Sequence, residues 1–228
     1  MRSLTGIVAI ALTLALTACS EEQDEAPAAP PAKTETAPPA VAPDPTPAAN
    51  AGSNNDEAGA QAEPFFAQMV LGDVTFQVES PNDSSINQVT VRAEGPEGPI
   101  GQMEAEADGT ITNVEIEDLN ADGYPEIYVY VTSAGSGSYG SLIAYASNQN
   151  KSLTQIYLPS IEDDPAISKG YMGHDEFAVG EATFLRRFPI YKDGDPNAKP
   201  TGGTRQIQYK LEAGEAGWIL RQDRVVEY

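Results

Sequence analysis

The 228-residue sequence predicts an all-β fold, an antiparallel β-sandwich or open barrel preceded by a disordered Ala/Pro-rich tether. Three observations carry that expectation. Short apolar segments with a period of two dominate residues 64–228, turn-forming Gly, Pro, Asp and Asn separate them, and no amphipathic helix of three or more turns interrupts them. In chain order, the alternation at 74–78 reads as the first strand and that at 89–91 as the second. The pairs Gly95-Pro96 and Gly98-Pro99 break the chain before the strand at 111–116, with Asp108-Gly109 just ahead of it. Asp122-Gly123 turns the chain into a strand at 127–131, and a further strand follows at 142–146. Residues 177–179 form a short strand. The runs at 205–211 and 218–226, joined by the turn at 212–217, form a closing hairpin with Trp218 in its core.

The first 63 residues have a different character. Residues 4–18 form an apolar run with Arg2 on its N-terminal side, too short to span a bilayer comfortably and ending in small residues, which is the pattern of a signal peptide at 1–18. Leu16-Thr17-Ala18-Cys19 closes that run as a lipobox, and Cys19 is the only cysteine in the chain. Its resemblance to bacterial lipoproteins implies cleavage before Cys19 and lipidation of its sulfur. Several acyl chains together anchor a protein stably. Ser20 stands where lipoproteins retained in the inner membrane usually carry Asp, so the expected place is the cell envelope, lipid-anchored to the outer membrane and facing the periplasm. Residues 19–63 then read as the lipidated cysteine and a disordered linker, since Ala, Pro, Glu, Asp and Asn there bury too little apolar surface to fold. A tether of that length reaches roughly 35 to 40 Å. Residues 64–228 are left as one domain.

Charge narrows the function. With 34 acidic residues against 13 Lys and Arg, the chain has a formal net charge of −21. Nucleic-acid binding requires clustered basic residues and is excluded as an expectation. A basic protein is the natural partner, because complementary charge speeds encounter. Once lipid occupies Cys19, no thiol remains for a disulfide, a nucleophile or a zinc site.

Three clusters carry chemical possibilities. Asp118, Asn120 and Asp122 alternate ahead of Gly123, as oxygen ligands do in calcium loops, with Glu126 as a further donor. The EF-hand pattern then fails, because its twelfth position is Val129 and a strand follows where a helix is required. Two readings stay open: a turn built by Asx bonds, or a calcium site in a surface-binding module. Otherwise no cofactor is expected. His174-Asp175-Glu176 holds the only histidine, and without a cysteine or a Gly-x-Ser-x-Gly elbow it supports no triad. It reads as a polar loop before the strand at 177–179. A glycan-processing enzyme would need a carboxylate pair, and the sequence singles none out.

The run Ser133-Ala134-Gly135-Ser136-Gly137-Ser138-Tyr139-Gly140 is longer than a hairpin connection needs, and it places one amphipathic ring among small hydrogen-bonding residues. A flexible loop whose tyrosine folds back on the sheet is the competing reading. Here the sequence resembles the periplasmic inhibitors of invertebrate-type lysozyme, whose mark is a Ser-Gly-x-Tyr loop, present as Ser136-Gly137-Ser138-Tyr139. The flanking runs at 118–126 and 152–156 are similar to that family as well. The resemblance implies a protein that is not an enzyme, that inserts this loop into a lysozyme cleft and so protects peptidoglycan, and that forms a homodimer. It further implies that Ser136 and Tyr139 hydrogen-bond the catalytic carboxyl groups of an i-type lysozyme, with Gly137 and Gly140 allowing close backbone approach.

Overall fold

A computed structural model describes residues 63–228. The signal peptide expected at 1–18, the lipidation site expected at Cys19 and all but the last residue of the linker expected over 19–63 lie outside the described residues. Twelve strands and very little helix make up the rest: β1 (Phe65–Leu71), β2 (Val74–Ser80), β3 (Ile86–Gly95), β4 (Gly98–Asp108), β5 (Thr110–Glu117), β6 (Glu126–Thr132), β7 (Gly140–Asn148), β8 (Ser152–Tyr157), β9 (Glu176–Gly180), β10 (Thr183–Pro189), β11 (Thr204–Ala213) and β12 (Trp218–Glu227). A single 3-10 turn (Ile161–Asp163) and the four-residue helix α1 (Pro165–Ser168) are set between β8 and β9. Ser160 and Asp164 cap them, each accepting a backbone N–H two residues on.

The strands form two sheets. One is the antiparallel meander β1-β2-β3-β4, and the other has eight strands in the order β5-β6-β7-β8-β12-β11-β10-β9. Every pairing is antiparallel except that between β8 and β12, where Trp218 lies opposite Ile156 and Ile219 opposite Tyr157. That one parallel contact follows from topology: the chain leaves β8, builds β9 to β11 elsewhere, and returns with the direction it left.

β6 explains the architecture. Six of its seven residues, Glu126 to Val131, are buried, because both faces of the strand are covered. Ile127, Val129 and Val131 face a largely aliphatic core shared with Val74, Phe76, Val78, Val89 and Val91 of the four-stranded sheet. Tyr128 and Tyr130 face the other way, into an aromatic core with Phe184, Phe188, Tyr209 and Leu220 of β10 to β12. Tyr128 stacks on Phe184 at 5.6 Å between ring centroids, and Phe177 stacks on Phe184 at the same distance. The eight-stranded sheet thus curls round its own core and meets the smaller sheet with its opposite face.

Its two edges are drawn together by one side chain. Glu115 on β5 accepts hydrogen bonds from the Val179 backbone N–H of β9 at 2.7 Å and from the Tyr130 hydroxyl. Burial and that carboxylate both push the Tyr130 phenol well above its ordinary range, so it remains a donor. The seam gives the larger sheet a near-barrel form.

The structure adds strands that the alternation at 74–78, 89–91, 111–116, 127–131, 142–146 and 206–211 does not announce. β1 and β4 are masked in sequence by exposed Gln, Glu and Phe66, although Phe65, Ala67 and Met69 in β1 and Ile100, Met103, Ala105 and Ala107 in β4 all pack on the aliphatic core. The closing hairpin forms as expected: β11 and β12 pair from Arg205–Glu227 to Ala213–Trp218.

Candidate functional site

The loop after β6 is not a free tip. Ser133 and Tyr139 close its base, with the Ser133 N–H donating to the Tyr139 carbonyl at 2.9 Å and the Tyr139 N–H donating to Ser133 Oγ at 3.0 Å. Two other segments grip it from the side. The His174 N–H donates to the Gly137 carbonyl at 2.7 Å, and the Asn197 side-chain amide donates to the Ser136 carbonyl. His174 itself sits at φ 58 with its ring nitrogen 3.2 Å from Asn197 Oδ1, so the two gripping residues also touch each other.

Beneath the loop lies a buried ion pair. Asp175 Oδ1 and Arg186 Nε are 2.7 Å apart, their side chains 0 % and 7 % exposed respectively. The other Asp175 oxygen accepts the Gly140 N–H at 2.7 Å and the Tyr171 hydroxyl at 2.5 Å, while Arg186 also donates to that hydroxyl at 2.9 Å. Burial alone would disfavour the guanidinium charge, but the Asp175 carboxylate outweighs it and holds the Arg186 pKa above its ordinary value. Burial raises the Tyr171 phenol, and its bond to Asp175 adds to the effect. Every partner of this carboxylate is fixed, and so is the start of β7.

Tyr139 stands above this base. It is 47 % exposed, yet its ring meets Tyr171 edge-to-face at 5.6 Å, and Tyr171 in turn meets Phe188 at 4.7 Å. The ring therefore neither lies on the sheet nor hangs free: one side is packed on an aromatic stack and the other faces solvent. Ser136 is exposed and Ser138 part-buried. A cleft of about 340 Å³ opens beside the ring, walled by Leu142, Pro159 and Ser160 and floored by Tyr171 and Arg186.

A Cβ on Gly140 would stand 2.6 Å from Asp175 Cβ and from the Phe177 ring, and one on Gly137 would stand 2.5 Å from the Tyr139 ring. The close approach they permit is within this fold. Gly173, at φ +86, is equally constrained, since a Cβ there would fall on the Gly137 carbonyl oxygen.

The loop at the opposite end of β6 is held by its own residues. The Asp122 N–H donates to Asp118 Oδ1 and to Asn120 Oδ1, both at 3.0 Å, the Gly123 N–H to Asp118 Oδ2 at 2.8 Å, and the Tyr124 N–H to Asp122 Oδ1 at 2.9 Å. Glu126 turns inward, and burial raises its carboxyl to about 8, with the nearby Asp118 and Asp122 charges adding to the rise and the Leu119 N–H opposing it. Asp118, Asp122 and Glu126 each bring a carboxylate oxygen within 4.8 Å of the others.

His174 and Asp175 do occupy a polar loop before β9, as the sequence suggests, but their part in gripping the Ser136–Gly140 loop is not visible in it. Tyr171, Asp175, Arg186 and Asn197 are the residues that sequence reasoning misses. The one available signal was a pair of opposite charges, Asp175 ahead of β9 and Arg186 within β10. Trp218 packs on the aromatic core and donates its indole N–H to Asn148 at 3.3 Å.

Residues 100–167 match the family model described as periplasmic lysozyme inhibitor of I-type lysozyme. No curated protein matches the chain. Among solved structures, the Aeromonas hydrophila PliI in complex with Meretrix lusoria lysozyme is 31 % identical, over 40 % of this chain and 80 % of that one, with a TM-score of 0.35. A structure of PliI-Ah, the same bacterium's periplasmic inhibitor of I-type lysozyme, is 32 % identical over 40 % of this chain and 84 % of that one, with a TM-score of 0.36. The kinship rests on sequence rather than on superposed backbone. On the matched segment and an identity above 30 % across four-fifths of those relatives, the chain belongs to the family of periplasmic inhibitors of I-type lysozyme.

Proposed function

We propose that this chain inhibits a lysozyme by seating Ser136, Gly137, Ser138, Tyr139 and Gly140 in the enzyme's substrate cleft. The family it belongs to consists of inhibitors and not enzymes. The observation that carries the reading is the gripped loop. Tyr139 is half in solvent while the loop backbone is fixed at Tyr139 by Ser133, at Gly137 by His174, at Gly140 by Asp175 and at Ser136 by Asn197, so little conformational freedom is lost on binding. A lysozyme cleft is lined by two carboxyl groups, and the Ser136 and Tyr139 hydroxyls are donors suited to them. The acidic charge of the chain favours encounter with a cationic enzyme. An i-type lysozyme is the expected target. The lipobox at Cys19 would hold the inhibitor at the envelope it protects; persistence of a Cys19→Ser variant in the detergent phase on phase separation would remove that part of the proposal.

The test is inhibition of a panel of lysozyme types by the full chain and its variants. Tyr139→Ala should weaken inhibition by about 2 kcal/mol or more, roughly thirtyfold, as for a central aromatic anchor, and Ser136→Ala by less. Stability should fall by no more than about 1 kcal/mol in Tyr139→Ala, the worth of the ring's contact with Tyr171. Equal potency of the parent and a double variant against every lysozyme would end the loop-insertion reading.

A further inference from the structure

We propose that Asp118, Asn120, Asp122 and Glu126 form a calcium site at the head of β6. Two independent observations point there. The first is the convergence of three carboxyl oxygens within 4.8 Å of one another, hard donors close enough to share one cation. The second is Glu126 itself. It is 1 % exposed; its Oε2 accepts the Leu119 N–H at 2.8 Å and the Tyr128 hydroxyl at 3.4 Å, while its Oε1 has no hydrogen-bond partner.

A turn held by Asx bonds does not account for that oxygen. Asp118, Asn120 and Asp122 already accept the N–H groups of residues 122, 123 and 124, so the turn is complete without Glu126. A buried carboxyl with one oxygen unpaired leaves a polar atom unsatisfied, and a bound cation would satisfy it. Each carboxylate oxygen that accepts an N–H keeps a second lone pair for a metal. The donor set is oxygen only, which suits a hard cation and not zinc. The spacing of Asp118, Asn120, Asp122 and Gly123 matches the first half of a calcium loop. Val129, at the position of the usual closing glutamate, is fully buried in the aliphatic core, and Glu126 takes that part from within the strand. Asp122 is exposed and Asn120 part-buried, and water reaching Asp122 completes the coordination.

The site is separate from the lysozyme reading, because it lies at the start of β6 and the Ser136–Gly140 loop follows the other end of that strand. Calcium should therefore affect stability and leave inhibition unchanged. The full chain, stripped with chelator and dialysed, is titrated with calcium chloride to about 10 mM by calorimetry, and thermal unfolding is followed at the same concentrations. One calcium should bind, with a midpoint rise of about 5 °C or more near saturation, reversed by chelator. Magnesium should bind more weakly. Glu126→Gln and Asp122→Asn, folded by circular dichroism, should lose at least about tenfold in calcium affinity. Absence of binding and of any midpoint shift in the parent chain overturns the proposal, as does an equal shift from magnesium or in a folded Glu126→Gln chain, which would mean general charge screening.

Discussion

The loops at the two ends of β6 are built in opposite ways. The one at 118–125 is closed by side chains two to five residues from the N–H groups they accept. The one at 133–139 is closed at its base by Ser133, but its position depends on Asp175, 35 residues from its partner Gly140, and on Asn197, 61 residues from Ser136. A locally closed loop is a property of its own sequence. A remotely gripped loop is a property of the fold, and it moves if the fold beneath it loosens.

The largest effect should come from the ion pair under the remote loop. Asp175→Ala leaves the Arg186 guanidinium, 7 % exposed, without its counter-charge, and removes the acceptor of the Gly140 N–H and the Tyr171 hydroxyl. Breaking a buried pair from one side costs about 3 to 5 kcal/mol. Urea unfolding should show that loss as a lower midpoint, and inhibition should weaken even under conditions where the variant is fully folded. An unchanged midpoint would mean that the grip is incidental.

The same contrast sets what could be read in advance. The Asp118–Glu126 cluster and the Ser136–Tyr139 motif are contiguous, so residue types and spacing disclose them. Strand alternation likewise discloses β2, β5 and the β11–β12 hairpin, because one face of each is apolar. β6 reads as a strand, but burial of both its faces requires knowing that a second, aromatic core lies behind it. β1 and β4 are hidden because their core-facing positions include alanine and methionine between exposed polar residues. Tyr171, Asp175, Arg186 and Asn197 lie beyond the family match at 100–167, and only the folded chain brings them under the loop.

A smaller effect tests the lateral grip without touching a charge. Gly173 has φ +86 and faces the Gly137 carbonyl, so an added methyl group both strains the backbone and pushes the loop away from His174. Gly173→Ala should cost about 1 to 3 kcal/mol in stability. Because the displaced atoms belong to the loop, inhibition should fall roughly tenfold or more, whereas the environment of Trp218, on β12, should keep its fluorescence maximum. A variant with lower stability and full potency would show that His174 and Gly173 support the fold alone.

The smallest effect belongs to the local loop. Asn120→Ala removes one acceptor of the Asp122 N–H, but that group still donates to Asp118 Oδ1, and the Gly123 and Tyr124 N–H groups keep their own acceptors. The bond from the Asn120 amide to Asp122 Oδ2 is lost as well, at an exposed site where water replaces it. With chelator present, so that cation binding plays no part, the cost should be about 0.5 to 1 kcal/mol. Inhibition should be unchanged, since no hydrogen bond links residues 118–124 to the Ser136–Gly140 loop among the described residues. A loss of potency in this variant would connect the two ends of β6 through the strand itself, and the distinction between a self-contained loop and a fold-held loop would fail.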